Sequence, residues 1–154
     1  MKEIRGSASA AVPAPANECF SLLAAVDRYA VWNGDLVREL NVLERDPEGL
    51  PARVRAVISI KRGSPVKTFE LTVAVTTDPP HAVYITRIPN EPSDREELHL
   101  VWRVDPQRSA ADTRIELQFA AMASFVPGFL PLGGIGNRIA EKLVESAGRA
   151  LRAA

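Results

Sequence analysis

The chain has 154 residues, of which 46% are hydrophobic and 25% are charged. This composition is typical of a globular protein, and the length suits one domain spanning residues 1–154. The 19 lysines and arginines balance 19 aspartates and glutamates, so no excess of positive charge favours nucleic acid or an anionic membrane as a partner. The one cysteine, Cys19, excludes an intramolecular disulfide.

Signals for targeting and for membrane insertion are weak in this sequence. The N-terminal residues lack the basic start and apolar core of a signal peptide, so we expect a cytoplasmic protein. Residues 118–137 contain no charged residue, and the length of this segment is close to that of a spanning helix. Pro127, Pro131 and four glycines interrupt this segment, and its first half continues a strand. We therefore expect no transmembrane segment.

The N-terminal part of the chain predicts a strand followed by two short helical segments. Residues 3–12 are weakly strand-like and rich in small side chains. Pro15 suits the first turn of a helix, which we place at about residues 15–24. Residues 27–34 are typical of a second short helix or of a tight loop that ends at Asn33-Gly34.

From residue 36 to residue 124 the hydrophobic period changes to two, which is typical of strands with one buried face. About six such strands are separated by short turns rich in Gly, Pro and Asp, so they predict an antiparallel meander with one buried face and one solvent-exposed face. In the strand at residues 83–88, the pattern leaves open whether Tyr84 or Ile85 points inward. In the other strands the clearest inward positions are Val54, Ala56, Ile58, Ile60, Phe69, Leu71, Val73, Val75, Leu98, Leu100, Trp102, Val104, Ile115, Leu117, Phe119 and Ala121.

The C-terminal segment predicts one long amphipathic helix. Its apolar side chains recur every four residues and form a single stripe. Such a helix needs an apolar surface to pack against, and the predicted strands supply it. The sequence therefore predicts an α+β fold, in which a curved antiparallel sheet of about six to seven strands wraps around the long helix. The stripe consists of Ile135, Ile139, Leu143, Ala147 and Leu151.

Five short stretches of sequence, together with the order of the predicted strands and helices, resemble a known family. They are Val12-Pro13-Ala14-Pro15, Tyr29-Ala30-Val31-Trp32, Val42-Leu43-Glu44-Arg45-Asp46, Leu100-Val101-Trp102 and Pro127-Gly128-Phe129-Leu130. The chain resembles the SRPBCC superfamily (START, birch-pollen-allergen-like proteins and polyketide cyclases), and within it the polyketide cyclase/dehydrase and lipid-transport group. The resemblance covers nearly the whole chain. It implies a helix-grip fold.

The predicted inner face of the sheet is almost wholly aliphatic and aromatic, so it either packs solidly or lines a cavity for an apolar guest. Our first hypothesis is a carrier or binding protein for a lipid, an isoprenoid or a polyketide-like molecule, held between the sheet and the C-terminal helix. A stress or interaction protein with a vestigial cavity is an alternative. The candidate ligand-binding residues are Trp32, Leu71, Val73, Tyr84, Trp102, Phe119, Phe129, Leu132, Ile135 and Ile139.

The second hypothesis is a polyketide aromatase/cyclase or dehydratase that acts on a guest in the same cavity. The resemblance implies a few polar groups in that cavity, but no set of catalytic residues can be assigned from the sequence. Tyr84, Arg87 or His99 would move protons in such an enzyme. The strand alternation places His99 at the solvent face, and we expect Arg87 to be exposed as well. The two histidines have no third ligand at useful spacing, so we expect neither a metal site nor a cofactor.

Overall fold

The computed structural model describes residues 2–61, 66–109, 111–123 and 134–153. Strand β1 (Lys2–Val12) is followed by helix α1 (Ala16–Ala24), a short 3-10 helix (Val26–Arg28) and helix α2 (Tyr29–Trp32). The later strands are β2 (Val37–Arg45), β3 (Pro51–Lys61), β4 (Val66–Asp78), β5 (Ala82–Ile88), β6 (Glu97–Pro106) and β7 (Thr113–Ala123), and helix α3 (Ile135–Ala153) follows them.

The described strands form one antiparallel sheet of seven strands in the order β1-β7-β6-β5-β4-β3-β2. Consecutive strands from β2 to β7 are neighbours, as a meander requires, and β1 joins the free edge of β7. The predicted α+β helix-grip fold is confirmed: two short helices follow the first strand, and the C-terminal helix packs on the sheet.

The turn between β2 and β3 shows how the local sequence sets the meander. Asp46 accepts hydrogen bonds from the backbone N–H groups of Glu48 and Leu50, both at 2.9 Å, through one carboxylate oxygen. Gly49 adopts a φ of 87°, a conformation that glycine reaches without strain. Together these residues reverse the chain, so that β3 returns along β2.

Helix α3 lies across β1 and also contacts β7. A Cβ atom built at Gly136 would lie 2.0 Å from the carbonyl oxygen of Arg5, and one built at Gly6 would lie 2.1 Å from Gly136. Glycine at both positions therefore allows the helix backbone to touch the strand backbone. The Asn137 side chain accepts a hydrogen bond of 3.0 Å from the backbone N–H of Ser7 beside this contact.

Helix α1 covers one end of the sheet's inner face and packs against β5, β6, β7 and α3. We call this region the packed end. Its central side chains are fully buried, and they come from three neighbouring strands and from the helix that covers them. They are Leu23, Val83, Trp102, Ile115 and Leu117, each 0% exposed.

Candidate functional site

A chamber of about 140 Å³ lies between the sheet's inner face, the residues that follow α1, and α3. Every described side chain in its wall is aliphatic or aromatic, and none comes from α1. The described wall consists of Ile4, Val26, Tyr29, Leu36, Val37, Leu40, Ala56, Ile58, Leu71, Val73, Ile85, Leu98, Leu100, Phe119, Ala121, Ile139 and Leu143.

Two neighbouring strands show how the chamber arises beside the packed end. Along β6, Leu98 and Leu100 are half-buried and line the chamber, whereas Trp102 is completely buried. Along β7, Phe119 and Ala121 line the chamber beside the same two leucines, which are their partners in the sheet register. We call the end formed by these four wall residues, with Ile139 of α3, the open end.

Tyr29 brings the one hydroxyl group among the described wall residues of the chamber. That hydroxyl donates a hydrogen bond to the backbone carbonyl of Leu23. Burial raises the pKa of Tyr29, and the nearby indole N–H of Trp102 lowers it only in part. The phenol is therefore neutral and already engaged, so it is poorly suited to serve as a general base.

A second chamber of about 110 Å³ adjoins the first one. The two chambers share Ile58, Leu71, Leu98 and Ala121 in their walls. The second chamber differs from the first because its wall includes charged residues. Its remaining described wall residues are Phe69, Glu70, Arg87, Glu96 and Glu97.

The side chain of Arg87 is largely buried, and this corrects the expectation that it is exposed. It lies two residues after Ile85 on β5, on the same inward-facing side, and its side chain is only 9% exposed. Its guanidinium donates hydrogen bonds to the carboxylate of Asp94 (2.7 Å) and to the backbone carbonyl of Glu96 (2.8 Å). These two acceptors in the β5–β6 connection compensate for the loss of solvent around the guanidinium.

Asp94 is held by three donors at once. Besides the guanidinium of Arg87, the backbone N–H groups of Asn90 (3.1 Å) and Glu96 (3.0 Å) donate to its carboxylate. These hydrogen bonds hold the pKa of Asp94 well below its ordinary value of 3.8, and the hydrogen bond from Arg87 has the largest effect. The carboxylate is therefore ionised at neutral pH and fixes the position of Arg87.

The structure brings four of the ten predicted ligand-binding residues to the first chamber. Leu71 and Val73 of β4, Phe119 of β7 and Ile139 of α3 all line it. Ile135 is half-buried and packs against the core at the start of α3, outside the described wall. Phe129 and Leu132 lie outside the described residues.

The three other predicted residues are large aromatics that are not part of the described chamber wall. Trp102 belongs to the packed end. Trp32 is half-buried, with its ring centroid 4.7 Å from that of Tyr29. Tyr84 is half-buried on the outer face, because its neighbour Ile85 takes the inward position. The register settles the ambiguity of this strand, since Ile85 pairs with Leu100 across β6.

His99 lies on the outer face, as the alternation predicts. Its side chain is 48% exposed and lies 3.8 Å from the carboxylate of Glu97. It borders a polar groove of about 600 Å³ that includes Arg5, Gln118 and Asn137. The groove has a larger volume than either chamber, but its polar side chains suit water better than an apolar guest. Among the described residues, no group of three histidine, cysteine, aspartate or glutamate side chains is arranged to hold a metal ion.

Sequence reasoning missed several wall residues for two different reasons. Leu98, Leu100 and Ala121 have the predicted inward parity, so the alternation already contained the signal for them. Val26 and Tyr29 come from the segment between α1 and β2. Its short helical pattern gives no indication of which side faces the sheet.

Comparison with solved structures identifies the class of fold. A START superfamily protein from Mycobacterium smegmatis is 16% identical over 97% of both chains, with a TM-score of 0.75. The Zhui aromatase/cyclase from Streptomyces sp. R1128 is 16% identical over 99% of this chain and 88% of its own, with a TM-score of 0.58. The di-domain ARO/CYC BexL from the BE-7585A biosynthetic pathway is 22% identical over 99% of this chain and 47% of its own, with a TM-score of 0.65. At these identities the likeness establishes a START-like fold.

The sequence then places the chain within this class. The family model described as polyketide cyclase/dehydrase and lipid transport matches residues 12–147, and the chain belongs to that family. This match confirms the resemblance to the SRPBCC superfamily. The comparison with curated proteins found no match. None of the described helices combines the length and the apolar character needed to cross a membrane.

Proposed function

We propose that this protein binds an apolar small molecule, such as a lipid, an isoprenoid or a polyketide-like compound, in the first chamber and carries it. The observation that supports this most strongly is the described wall of that chamber, which is apolar throughout apart from the engaged hydroxyl of Tyr29. An apolar chamber favours a guest that loses little hydration on leaving water. Family membership agrees with the proposal, because the family's description includes lipid transport.

The size of the chamber suits a small guest. A cavity of about 150 Å³ lined by aliphatic and aromatic side chains stays dry and accepts a benzene-sized molecule, and the first chamber has about 140 Å³. The second chamber adjoins the first and shares Leu71 and Leu98 with its wall. We propose that a guest longer than benzene extends past these side chains into the second chamber.

An enzymatic role as aromatase/cyclase or dehydratase is the second candidate. It is favoured by the inward position of Arg87, which borders the second chamber. It is weakened because Tyr84 and His99 lie on the outer face, and because Tyr29 is the one titratable side chain in the described wall of the first chamber. Binding alone accounts for the described geometry more simply.

The experiment that tests the proposed function compares two adjacent positions of β7. Ala121 lines both chambers, whereas Ala120 lies on the outer face beside the polar groove. Leucine at position 121 adds three carbon atoms to the chamber, while Ala120→Leu makes the same chemical change outside it. We expect Ala121→Leu to weaken the binding of 1-octanol at least about tenfold, because each displaced methylene contact is worth roughly 0.8 kcal/mol.

Calorimetric titration of both variants with 1-octanol provides the measurement, and we expect Ala120→Leu to bind like the native protein. Native mass spectrometry of the purified protein and solvent extraction would identify a guest that co-purifies. Equal effects of the two substitutions, or no binding of 1-octanol to the native protein, would contradict the proposal.

A further inference from the structure

We propose that strand β2 is a docking surface for a second copy of this chain, and that the two β2 strands pair antiparallel about a twofold axis at Asn41. Such pairing joins the two sheets of seven described strands into one continuous sheet. The proposal goes beyond the binding of a small molecule and does not depend on it. It follows from three observations: the free edge of β2, exposed apolar side chains at that edge, and a self-complementary order of charges along the strand.

Strand β2 forms one edge of the sheet. Among the described strands it pairs with β3 alone. An edge strand presents backbone N–H and C=O groups on its free side, and these groups can pair with a strand of another chain. The opposite edge, β1, is less available, because α3 lies across it and the side chain of Asn137 already accepts a hydrogen bond from the backbone N–H of Ser7. The geometry of the sheet therefore favours β2 as the docking edge.

Exposed apolar side chains lie at the same edge. Among the described residues, the large hydrophobic side chains that remain exposed are Val31 (74%) and Leu43 (54%). Leu43 belongs to β2 itself, and Val31 belongs to α2, which contacts β2. Exposed apolar side chains on an edge strand favour association with another chain. A second strand beside Leu43 would remove part of its surface from water.

The charged residues of β2 have a mirror-symmetric order. Arg38 and Glu39 lie near its start, Glu44 and Arg45 lie at its end, and Asn41 lies midway. Charges on an edge strand commonly hinder pairing, but antiparallel pairing about Asn41 places Arg38 of each copy opposite Glu44 of the other. Cross-strand pairs of opposite charge stabilise a sheet, and the twofold axis produces two of them. A shift of one residue toward the C-terminal end would instead place Arg38 opposite Arg45 and Glu39 opposite Glu44, so that like charges repel.

The apolar residues of β2 agree with the same register. Leu40 and Val42 are half-buried and pair with buried residues of β3. Pairing about the midpoint of β2 sets Leu40 opposite Val42, so both copies keep these side chains on the inner face. A shift of one residue in either direction would put Val42 opposite Asn41 or Glu39, which lie on the outer face. The irregularities in the pairing of β2 with β3 flank residues 39–42, so the central segment that carries this register is regular.

The charges that this register pairs are also those that have no partner within the chain. Arg38 and Glu44 are exposed and make no ion pair or side-chain hydrogen bond in the described part of the chain. Arg45, by contrast, lies 3.7 Å from the carboxylate of Asp27 and donates a hydrogen bond of 2.8 Å to the backbone carbonyl of Gly49. A register shifted by two residues would draw on Arg45, which is already engaged. Pairing about the midpoint instead uses the two free charges.

Analytical ultracentrifugation of the native protein tests the proposal. A single pair of strands makes a small interface, so we expect a reversible dimer with a dissociation constant of roughly 10–500 μM. Arg38→Glu and Glu44→Arg each replace two attractive contacts with two repulsive ones. Each variant alone should therefore dimerise at least about tenfold more weakly than the native protein.

A mixture of the two variants separates the proposed pairing from a general loss of structure. In the equimolar mixture of Arg38→Glu and Glu44→Arg, each substituted side chain again meets an opposite charge, so dimers should form about as tightly as in the native protein. The double variant R38E/E44R should also dimerise like the native protein. Arg103→Glu is the control, because it makes the same charge reversal at an exposed position on β6, in the middle of the sheet, and it should have no effect.

Three results would overturn the proposal. The first is a native protein that stays monomeric up to about 1 mM, well above the expected dissociation constant. The second is a dimer that Arg103→Glu weakens as much as Arg38→Glu does. The third is a mixture or a double variant that dimerises no better than the single variants, although circular dichroism shows that each of them is folded.

Discussion

The packed end and the open end of the sheet are built from the same strands but differ in what covers them. Trp102, Ile115 and Leu117 are fully buried beneath α1, whereas Leu98 and Leu100, a few residues away, are half-buried around a chamber. The side chains at both ends are equally apolar and alternate in the same way. Among the described residues, the difference lies in α1, which covers the packed end and contributes no side chain to the chamber wall.

If the proposed function is correct, the packed end serves stability and the open end serves binding. Close packing at the packed end maximises dispersion contacts and removes apolar surface from water. In the described part of the chain, the open end leaves part of its apolar surface unfilled, so we expect its side chains to contribute less to folding. In the proposed function, that surface is the contact area for a guest. Substitutions at the two ends should therefore differ in their effects on stability and on binding, and three of them test this division directly. Two further predictions concern the α3–β1 contact and Asp94.

The largest effect is expected for Trp102→Ala. Since the ring is 0% exposed and lies outside the described chamber wall, its loss should reduce the free energy of unfolding by about 3–5 kcal/mol. Affinity for 1-octanol should be unchanged in the folded fraction. Chemical denaturation and calorimetric titration of the same preparation provide the two numbers. A small loss of stability together with weaker binding would move Trp102 from the packed end to the chamber.

The same substitution, leucine to alanine, can be made at both ends of the sheet and its effects on stability compared. Leu117→Ala empties a fully buried position and should cost about 2–5 kcal/mol. Leu100→Ala removes a half-buried side chain from the chamber wall, so we expect a cost of about 1–2 kcal/mol. Urea denaturation of both variants gives the comparison. Equal costs would show that the two ends are packed alike.

A substitution at the contact between α3 and β1 should cause the next largest loss of stability. Gly136→Ala would place a Cβ atom 2.0 Å from the carbonyl oxygen of Arg5, and the forced separation should cost about 1–3 kcal/mol. Gly148→Ala in the same helix is the control. There a Cβ atom would meet the flexible side chain of Arg152 at 3.3 Å, and the gain in helix propensity offsets this contact. Thermal unfolding should show a clear loss for Gly136→Ala and little change for Gly148→Ala.

The smallest expected effect depends on pH and concerns Asp94. Its pKa in the folded protein lies below the ordinary value of 3.8, mainly because Arg87 donates a hydrogen bond to the carboxylate. Because the pKa of Asp94 is lower in the folded protein than in the unfolded chain, the ionised carboxylate stabilises the fold at pH values above its ordinary pKa. This stabilisation is lost as the pH falls through the lower pKa of the folded state. Asp94→Asn should therefore be less stable than the native protein at pH 7.

The gap between Asp94→Asn and the native protein should narrow as the pH falls below about 4. Urea midpoints measured across this range test the expectation. Asp35→Asn, at an exposed position before β2, serves as the control. A constant difference between Asp94→Asn and the native protein at all pH values would exclude the proposed role of the ionised carboxylate.

Much of the fold could be predicted because its signals are local. The two-residue alternation in β3, β4, β6 and β7 identifies strands and their inward faces, and the stripe from Ile135 to Leu151 identifies the covering helix. The antiparallel meander follows from the short turns. The least clear strand was β5, where Val83, Tyr84 and Ile85 are all apolar enough to point inward. Only pairing with β4 and β6 decides between them.

The site could be predicted only in part, for a physical reason. Leu98 and Trp102 have the same parity on one strand, yet one lines the chamber and the other is core. Alternation reports which face a side chain joins, but not how well that face is filled. Within the described residues, the filling of this face depends on where α1 lies, which is a tertiary property. The inward position of Arg87 was missed because its partner Asp94 lies in a loop, and the sequence pattern there does not indicate that a buried charge is compensated.

One measurement tests the central claim that the open end, and not the packed end, holds an apolar guest. Methyl NMR spectra of the native protein are recorded during titration with 1-octanol. We expect the signals of Leu98, Leu100 and Ile139 to shift progressively, while those of Leu23 and Leu117 stay in place. Shifts confined to Leu23 and Leu117, shifts of equal size at both ends, or no shift at saturating 1-octanol would contradict the account.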